Sequence, residues 1–88
     1  MKPIFLELRH LKTLLALKET GSVSLAAKRV YLTQSALSHQ IKLLEDQYGL
    51  PLFERKTQPL HFTAAGERLI QLANEIMPKV IEAERDLA

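Results

Sequence analysis

The sequence predicts a mainly α-helical fold in which three helices and a short β-hairpin precede one long C-terminal helix. Apolar residues recur at helical spacing in three segments of the chain, a fourth segment is rich in helix-forming residues, and glycine, proline, serine and threonine separate these segments. Residues 52–63 instead contain two short runs of the kind that form a hairpin. With 88 residues, 47% of them hydrophobic, the chain is long enough for one small folded domain.

The first two helices are short and are separated by a glycine. The first is predicted over about residues 6–19, and Gly21 supplies a C-terminal stop because it tolerates the left-handed conformation. Ser22 and Ser24 are both candidate N-caps for the second helix, whose body covers residues 25–30. Its alanine, lysine and arginine content favours a helix.

The third helix is predicted to begin after Thr33, a favoured N-cap residue, and to end at Gly49. Its spacing predicts one buried stripe and several residues on other faces. The stripe consists of Leu37, Ile41 and Leu44. The residues on other faces are Ser38, His39, Lys42 and Glu45.

A hairpin and a long helix complete the predicted fold. The strands lie at about 52–55 and 60–63 around turn residues 56–59, and such a short hairpin needs support from the helices. Thr63 then caps the last helix, where we expect Pro78 to cause a kink, or a break near Met77. The chain therefore divides into a winged helix-turn-helix domain, residues 1–62, and a linker helix, residues 63–88. The helix-turn-helix covers about 24–48 and the wing about 52–63.

The linker helix carries an apolar stripe with heptad spacing, which is typical of helices that pair with another helix. Because the small preceding domain is not expected to cover this stripe, we predict a homodimer. The predicted interface residues are Leu69, Leu72, Ala73, Ile76, Val80, Ala83 and Leu87, with Ile70, Met77 and Ile81 widening the stripe.

Composition narrows the possible partners and excludes thiol chemistry. The chain has no cysteine, which excludes disulfides and thiolate metal sites. Residues 1–62 carry nine Lys or Arg against five acids, whereas residues 63–88 carry three against five. A basic body favours a polyanionic partner. The N-terminal apolar run is too short and too charged for a signal peptide or membrane span, so we expect a cytoplasmic protein.

Short polar residues at the start of the third helix indicate DNA recognition. The major groove of B-DNA admits an α-helix, whose exposed N-terminal half then reaches the base edges. Basic residues in the wing are expected to contact phosphate or the minor groove. The predicted DNA-binding residues are Thr33, Gln34, Ser35, Ser38, His39 and Lys42 in the helix, and Arg55, Lys56 and Gln58 in the wing.

Three alternatives remain open at this stage. Polar residues at a helix start often serve only as caps and solvated surface, and Arg55 has Glu54 or Glu45 as possible surface partners. A protein-interaction module would use the 64–88 helix and show no specific DNA readout. An enzyme or metal site would rest on His10, His39 and His61, but no pair has i, i+4 spacing and no nucleophile motif accompanies them. We therefore expect no catalytic or metal site.

Several motifs in order resemble the LysR-type transcriptional regulators. They are SVSLAAKRVYLTQSALSHQIKLLE over residues 22–45, GLPLFER over 49–55 and FTAAG over 62–66. HLKTL over 10–14, TQSALSH over 33–39 and RKTQPL over 55–60 are most similar to the subgroup that regulates methionine biosynthesis and responds to homocysteine.

The resemblance implies a dimeric DNA-binding regulator of an interrupted palindrome, with Gln34, Ser38 and His39 facing DNA and Arg55 on the wing. Ser35 stands where the family often has proline, and His39 where it often has arginine. Because histidine lacks the bidentate fork of arginine, base preference at His39 stays open. The resemblance also implies a C-terminal domain that senses a small molecule, which this chain does not include, so we expect no cofactor here.

Overall fold

A computed structural model describes residues 3–54, 57 and 59–88 of the chain. The elements follow the order α1 (Leu8–Thr20), α2 (Val23–Arg29), α3 (Gln34–Tyr48), β1 (Phe53–Glu54), β2 (His61–Phe62) and α4 (Ala64–Leu87). The two strands pair antiparallel, with Phe53 opposite Phe62 and Glu54 opposite His61. This architecture confirms the predicted fold class.

The helix ends follow the predicted capping chemistry. Gly21 and Gly49 both adopt φ of 68° and close α1 and α3. Ser22, not Ser24, caps α2, because its side chain accepts a hydrogen bond from the Leu25 amide. Thr33 caps α3 in the same way, with its Oγ1 3.0 Å from the Ala36 nitrogen. These caps satisfy amides that have no partner within the helix.

One apolar core joins the three short helices, the hairpin and the start of α4. Leu14 and Leu17 of α1 are completely buried in it, as are Leu37 and Ile41 of α3. Phe53 and Ile70 bring β1 and α4 into the same core. Because α3 is held along one side only, its opposite side remains at the surface.

Glu45 lies in this buried region, and its predicted surface position is wrong. Only 5% of the residue is exposed, and its Oε2 accepts a hydrogen bond from the Leu52 amide at 2.6 Å. The carboxylate thereby ties the end of α3 to the segment that leads into β1. Burial of a charged group is tolerated where such hydrogen bonds compensate for the lost water.

The N-terminus of α4 packs closely against the segment that leads into β1. The Thr63 hydroxyl donates a hydrogen bond to the Pro51 carbonyl at 2.7 Å and accepts one from the Gly66 amide at 3.1 Å. A Cβ placed on Gly66 would overlap the Leu52 carbonyl oxygen. The approach of helix to loop therefore requires glycine at this position.

The α4 helix continues through Pro78 and ends at Leu87, so the alternative of a break near Met77 is wrong. Its first half packs against α1, where Ala73 and Met77 contact Leu11 in a small second core. Ala73 is completely buried there, because it lies on the side of the helix that faces α1. Ala73 therefore lies outside the pairing face, and its predicted place in the interface is wrong.

Candidate nucleic-acid interface

The N-terminal half of α3 presents a polar surface to solvent. Thr33, Gln34, Ser35, His39 and Lys42 are exposed, and Ser38 is half-buried. The buried stripe of Leu37, Ile41 and Leu44 fixes this orientation from the other side of the helix. The structure thus brings the six predicted helix residues together on the solvent-facing side of α3.

The start of α3 also offers backbone donors. The amides of the first helical turn have no carbonyl partner within the helix, and the Thr33 side chain occupies only that of Ala36. The helix dipole adds a partial positive charge at the same end. This combination favours an anion such as a phosphate group beside Gln34 and Ser35.

Lys42 is the one cation among the predicted α3 residues, and it is paired weakly. Its Nζ lies 3.3 Å from Oδ1 of Asp46, with both side chains about 60% exposed. An exposed i, i+4 ion pair of this kind is worth less than about 1 kcal/mol. The ammonium group therefore remains available to a stronger anion at small cost.

The predicted wing contacts lie outside the described part of the chain. Arg55, Lys56 and Gln58 stay predictions, because only the flanking residues are described. Thr57 accepts a hydrogen bond from the His61 amide and donates one to the Glu54 carbonyl. Phe53 and Phe62 support the hairpin with ring centroids 6.0 Å apart. These contacts hold the described part of the hairpin together.

The three histidines do not form a common site. No group of three or more His, Asp or Glu side chains within the described residues is arranged to hold a metal ion. His10 is buried, and its Nδ1 accepts a hydrogen bond from the Glu7 amide at the start of α1. Burial lowers the pKa of His10, the Glu7 carboxylate opposes that shift, and Arg9 adds to it. His10 therefore acts as a neutral, structural group.

A second apolar stripe of α4 remains open to a partner. Leu69, Leu72, Ile76 and Val80 are half-buried, whereas Ala83 and Leu87 are exposed. At about 100° per residue, this stripe lies beside the stripe that packs on α1. Within residues 3–54, 57 and 59–88, no helix has the length and apolar character needed to cross a membrane.

Residues 8–67 match the model of the bacterial regulatory helix-turn-helix proteins of the LysR family, and the chain belongs to this family. It is 86% identical, over its whole length, to the HTH-type transcriptional regulator MetR of Haemophilus influenzae, and spans 28% of that relative. The HTH-type transcriptional regulator MetR of Escherichia coli is 53% identical over 89% of this chain, which spans 25% of it. The chain thus covers about a quarter of the length of these curated relatives.

The structure is also similar to solved DNA complexes of this family. A complex of the BenM DNA-binding domain with benA site 1 DNA aligns with a TM-score of 0.83 and 33% identity, over 93% of this chain and 92% of that chain. The CbnR DNA-binding domain in complex with DNA aligns with a TM-score of 0.78 and 31% identity, over 92% of this chain and 93% of that one.

Glu45, Gly66 and the buried His10 are structural residues whose environments sequence reasoning missed. The FTAAG motif over residues 62–66 contains the glycine, but spacing alone gives no sign of the close approach to Leu52. A carboxylate seven residues before an amide partner has no periodic signature either. These contacts depend on tertiary packing.

Proposed function

We propose that this chain is the sequence-specific DNA-binding part of a transcription regulator, with the exposed face of α3 entering the major groove. The observation that carries the proposal is the set of exposed polar side chains at the start of α3, held outward by a completely buried stripe. Gln34 has the amide groups that pair bidentately with adenine, and Ser38 either donates or accepts a hydrogen bond. The names of the relatives and the DNA complexes of BenM and CbnR support this function over an enzymatic one.

We propose further that the chain acts as a homodimer through the open stripe of α4. Two copies related by a twofold axis would present two α3 helices to two half-sites, which corresponds to an interrupted palindrome. The heptad spacing of the stripe and the exposure of its distal residues, Ala83 and Leu87, support this arrangement.

The regulated genes are proposed to be those of methionine biosynthesis. The support is the 86% identity to a regulator named MetR, together with the sequence resemblance to the methionine subgroup. By the same resemblance we propose homocysteine as the small molecule to which the whole regulator responds.

The test compares specific with random DNA. A preferred duplex is first selected from a random library with the 88-residue chain, and a scrambled duplex of equal length serves as reference. Gln34→Ala is expected to weaken binding to the selected duplex roughly tenfold, because one bidentate base contact is worth about 1–3 kcal/mol. Binding to the scrambled duplex should change little. Gln71→Ala is the matched control, because Gln71 is an exposed glutamine on α4.

Lys42→Ala tests the phosphate contact in the same assay. It should weaken binding to both duplexes alike and reduce the slope of log affinity against log salt by about one unit. A wild-type chain without preference between the two duplexes would contradict sequence-specific binding. That result would favour a protein-interaction module that uses the α4 stripe.

A further inference from the structure

Tyr31 occupies an unfavourable backbone conformation at the surface. It lies between α2 and α3 with φ of 59°, and it is the one non-glycine residue with positive φ in the described part of the chain. The left-handed region is costly for residues with a Cβ atom, and bulky side chains rarely adopt it. Tyr31 is nevertheless 94% exposed, so burial of its ring does not offset this cost.

The turn requires the backbone conformation of Tyr31 but not its side chain. The Tyr31 amide donates to the Lys28 carbonyl at 3.3 Å, and the Leu32 amide donates to the Ala27 carbonyl at 2.9 Å. These two bonds close α2 and direct Leu32 back towards the core, where it packs as a half-buried residue. Glycine would adopt the same φ without strain. The fold therefore does not account for a tyrosine at this position.

Tyr31 lies at the edge of the proposed DNA-binding face. Tyr31 lies two residues before Thr33, the cap of α3, and two residues span at most about 7 Å. The neighbouring Val30 and Leu32 line a shallow cavity with Arg9 and Lys12 of α1, and Arg9 is held only by an exposed ion pair with Glu7 at 3.2 Å. A phosphate that approaches this edge would meet cations and an exposed hydroxyl donor.

We propose that Tyr31 is a DNA-backbone contact beside the base pairs that Gln34 reads. Its hydroxyl donates a hydrogen bond to a phosphate oxygen, and its ring packs against the adjoining deoxyribose. Strained residues are held in place by the surrounding structure and cluster at functional sites, so the strain at Tyr31 points to a function of its side chain. Such a contact positions α3 in the groove but carries no sequence information. The inference rests on the proposed function and adds a residue that lies outside α3 and the wing.

Three variants separate the effect of the Tyr31 side chain on DNA binding from the effect of its backbone conformation. Tyr31→Gly and Tyr31→Asn remove the ring, and both replacements tolerate positive φ. We expect both to bind the selected and the scrambled duplex more weakly by a factor of more than about ten, because they lose the hydrogen bond to a charged phosphate and the packing of the ring together. The salt slope should not change, because a phenol is neutral. Tyr31→Phe should lose a smaller factor, about tenfold, because it keeps the ring and loses only the hydrogen bond to the charged phosphate.

Thermal unfolding of the same variants shows whether the loss arises from folding. Tyr31→Gly and Tyr31→Asn are expected to unfold at the same temperature as the wild type or a few degrees higher, because the strain is relieved. A lower unfolding temperature would assign Tyr31 to the fold and overturn the proposal. Unchanged DNA binding by both variants would overturn it as well, and wild-type binding by Tyr31→Phe would overturn the hydroxyl contact.

The specificity data distinguish this inference from the proposed function. A loss confined to the selected duplex would make Tyr31 a base-reading residue and overturn the backbone contact. A wild-type chain that binds both duplexes equally contradicts sequence-specific recognition, while the Tyr31 variants still report on the backbone contact. Absence of any DNA binding by the wild type would overturn both.

Discussion

The helices α3 and α4 are both amphipathic, and both pack one stripe of apolar residues into the domain. They differ in the side chains that they expose to solvent. The exposed side of α3 begins with short polar residues such as Gln34 and Ser35, whereas α4 carries a second apolar stripe that includes Val80 and Leu87. The chemistry of the exposed side, not the helical propensity, therefore indicates which partner each helix suits.

The largest expected effect concerns the apolar stripe of α4. Val80→Asp combined with Leu87→Asp should convert the proposed dimer into a monomer, because two carboxylates would be buried between paired helices without partners. Both residues lie outside the two apolar cores, so the domain should remain folded. Light scattering measures the mass, and an unchanged dimer would show that the interface lies elsewhere.

The control for this double variant is Arg85→Glu. It changes the net charge by the same two units, and Arg85 lies about 140° around the helix from Val80, away from the stripe. We expect this variant to remain dimeric. If Arg85→Glu also became monomeric, the effect would be one of charge and not of the apolar stripe.

The next effect concerns how α4 is attached to the domain. Gly66→Ala should destabilise the fold by about 1–3 kcal/mol or more, because the added Cβ would overlap the Leu52 carbonyl oxygen. Alanine improves helix propensity by about 1 kcal/mol, so the steric cost must exceed that gain. Urea unfolding provides the measurement. Gly49→Ala is the comparison, since no atom lies within 4 Å of its added Cβ and only the positive φ opposes it.

A smaller effect concerns the end of α3. Glu45→Leu should cost about 1–3 kcal/mol, because it leaves the Leu52 amide without its acceptor in a buried position. Glu45→Gln should cost less, since its amide oxygen still accepts a hydrogen bond. Equal urea midpoints for the wild type and Glu45→Leu would show that this bond contributes nothing to stability.

The smallest effect is a pH dependence from His10. Burial lowers the pKa of His10, so the unfolded chain binds the proton more readily than the folded one. The free energy of unfolding is therefore largest above the ordinary pKa of 6.5 and falls as the pH decreases from there, by at most about 1.4 kcal/mol per pH unit. Urea midpoints between pH 5 and 8 should show this slope, and His10→Gln should remove it. His61→Gln is the matched control, because His61 is exposed on β2.

Local sequence chemistry predicted most of the fold. The caps at Thr33 and Thr63, the glycine stops and the stripe of α3 act over a few residues, so their spacing is visible in the chain. The exposed face of α3 followed from the same spacing. Gly66, Glu45 and the strained Tyr31 could not be assigned in this way, because each depends on where a separate segment lies.

The α4 helix shows the same difference between what local sequence predicts and what tertiary packing decides. Its heptad spacing predicted a stripe, but periodicity does not say which of two adjacent stripes the domain itself covers. Ala73 fell on the covered one because α1 lies against it. Leu69, Leu72 and Ile76 belong to the open stripe, but they are half-buried at its boundary with the two cores, against which they pack.

That boundary has a thermodynamic consequence. Some side chains contact both the domain interior and the proposed pairing surface. The same side chains therefore contribute to the free energy of folding and to that of dimerisation. Mass action then links the two equilibria, so the apparent unfolding temperature of the chain would rise with its concentration. In dilute solution the lone subunit would retain only the interactions of its own core.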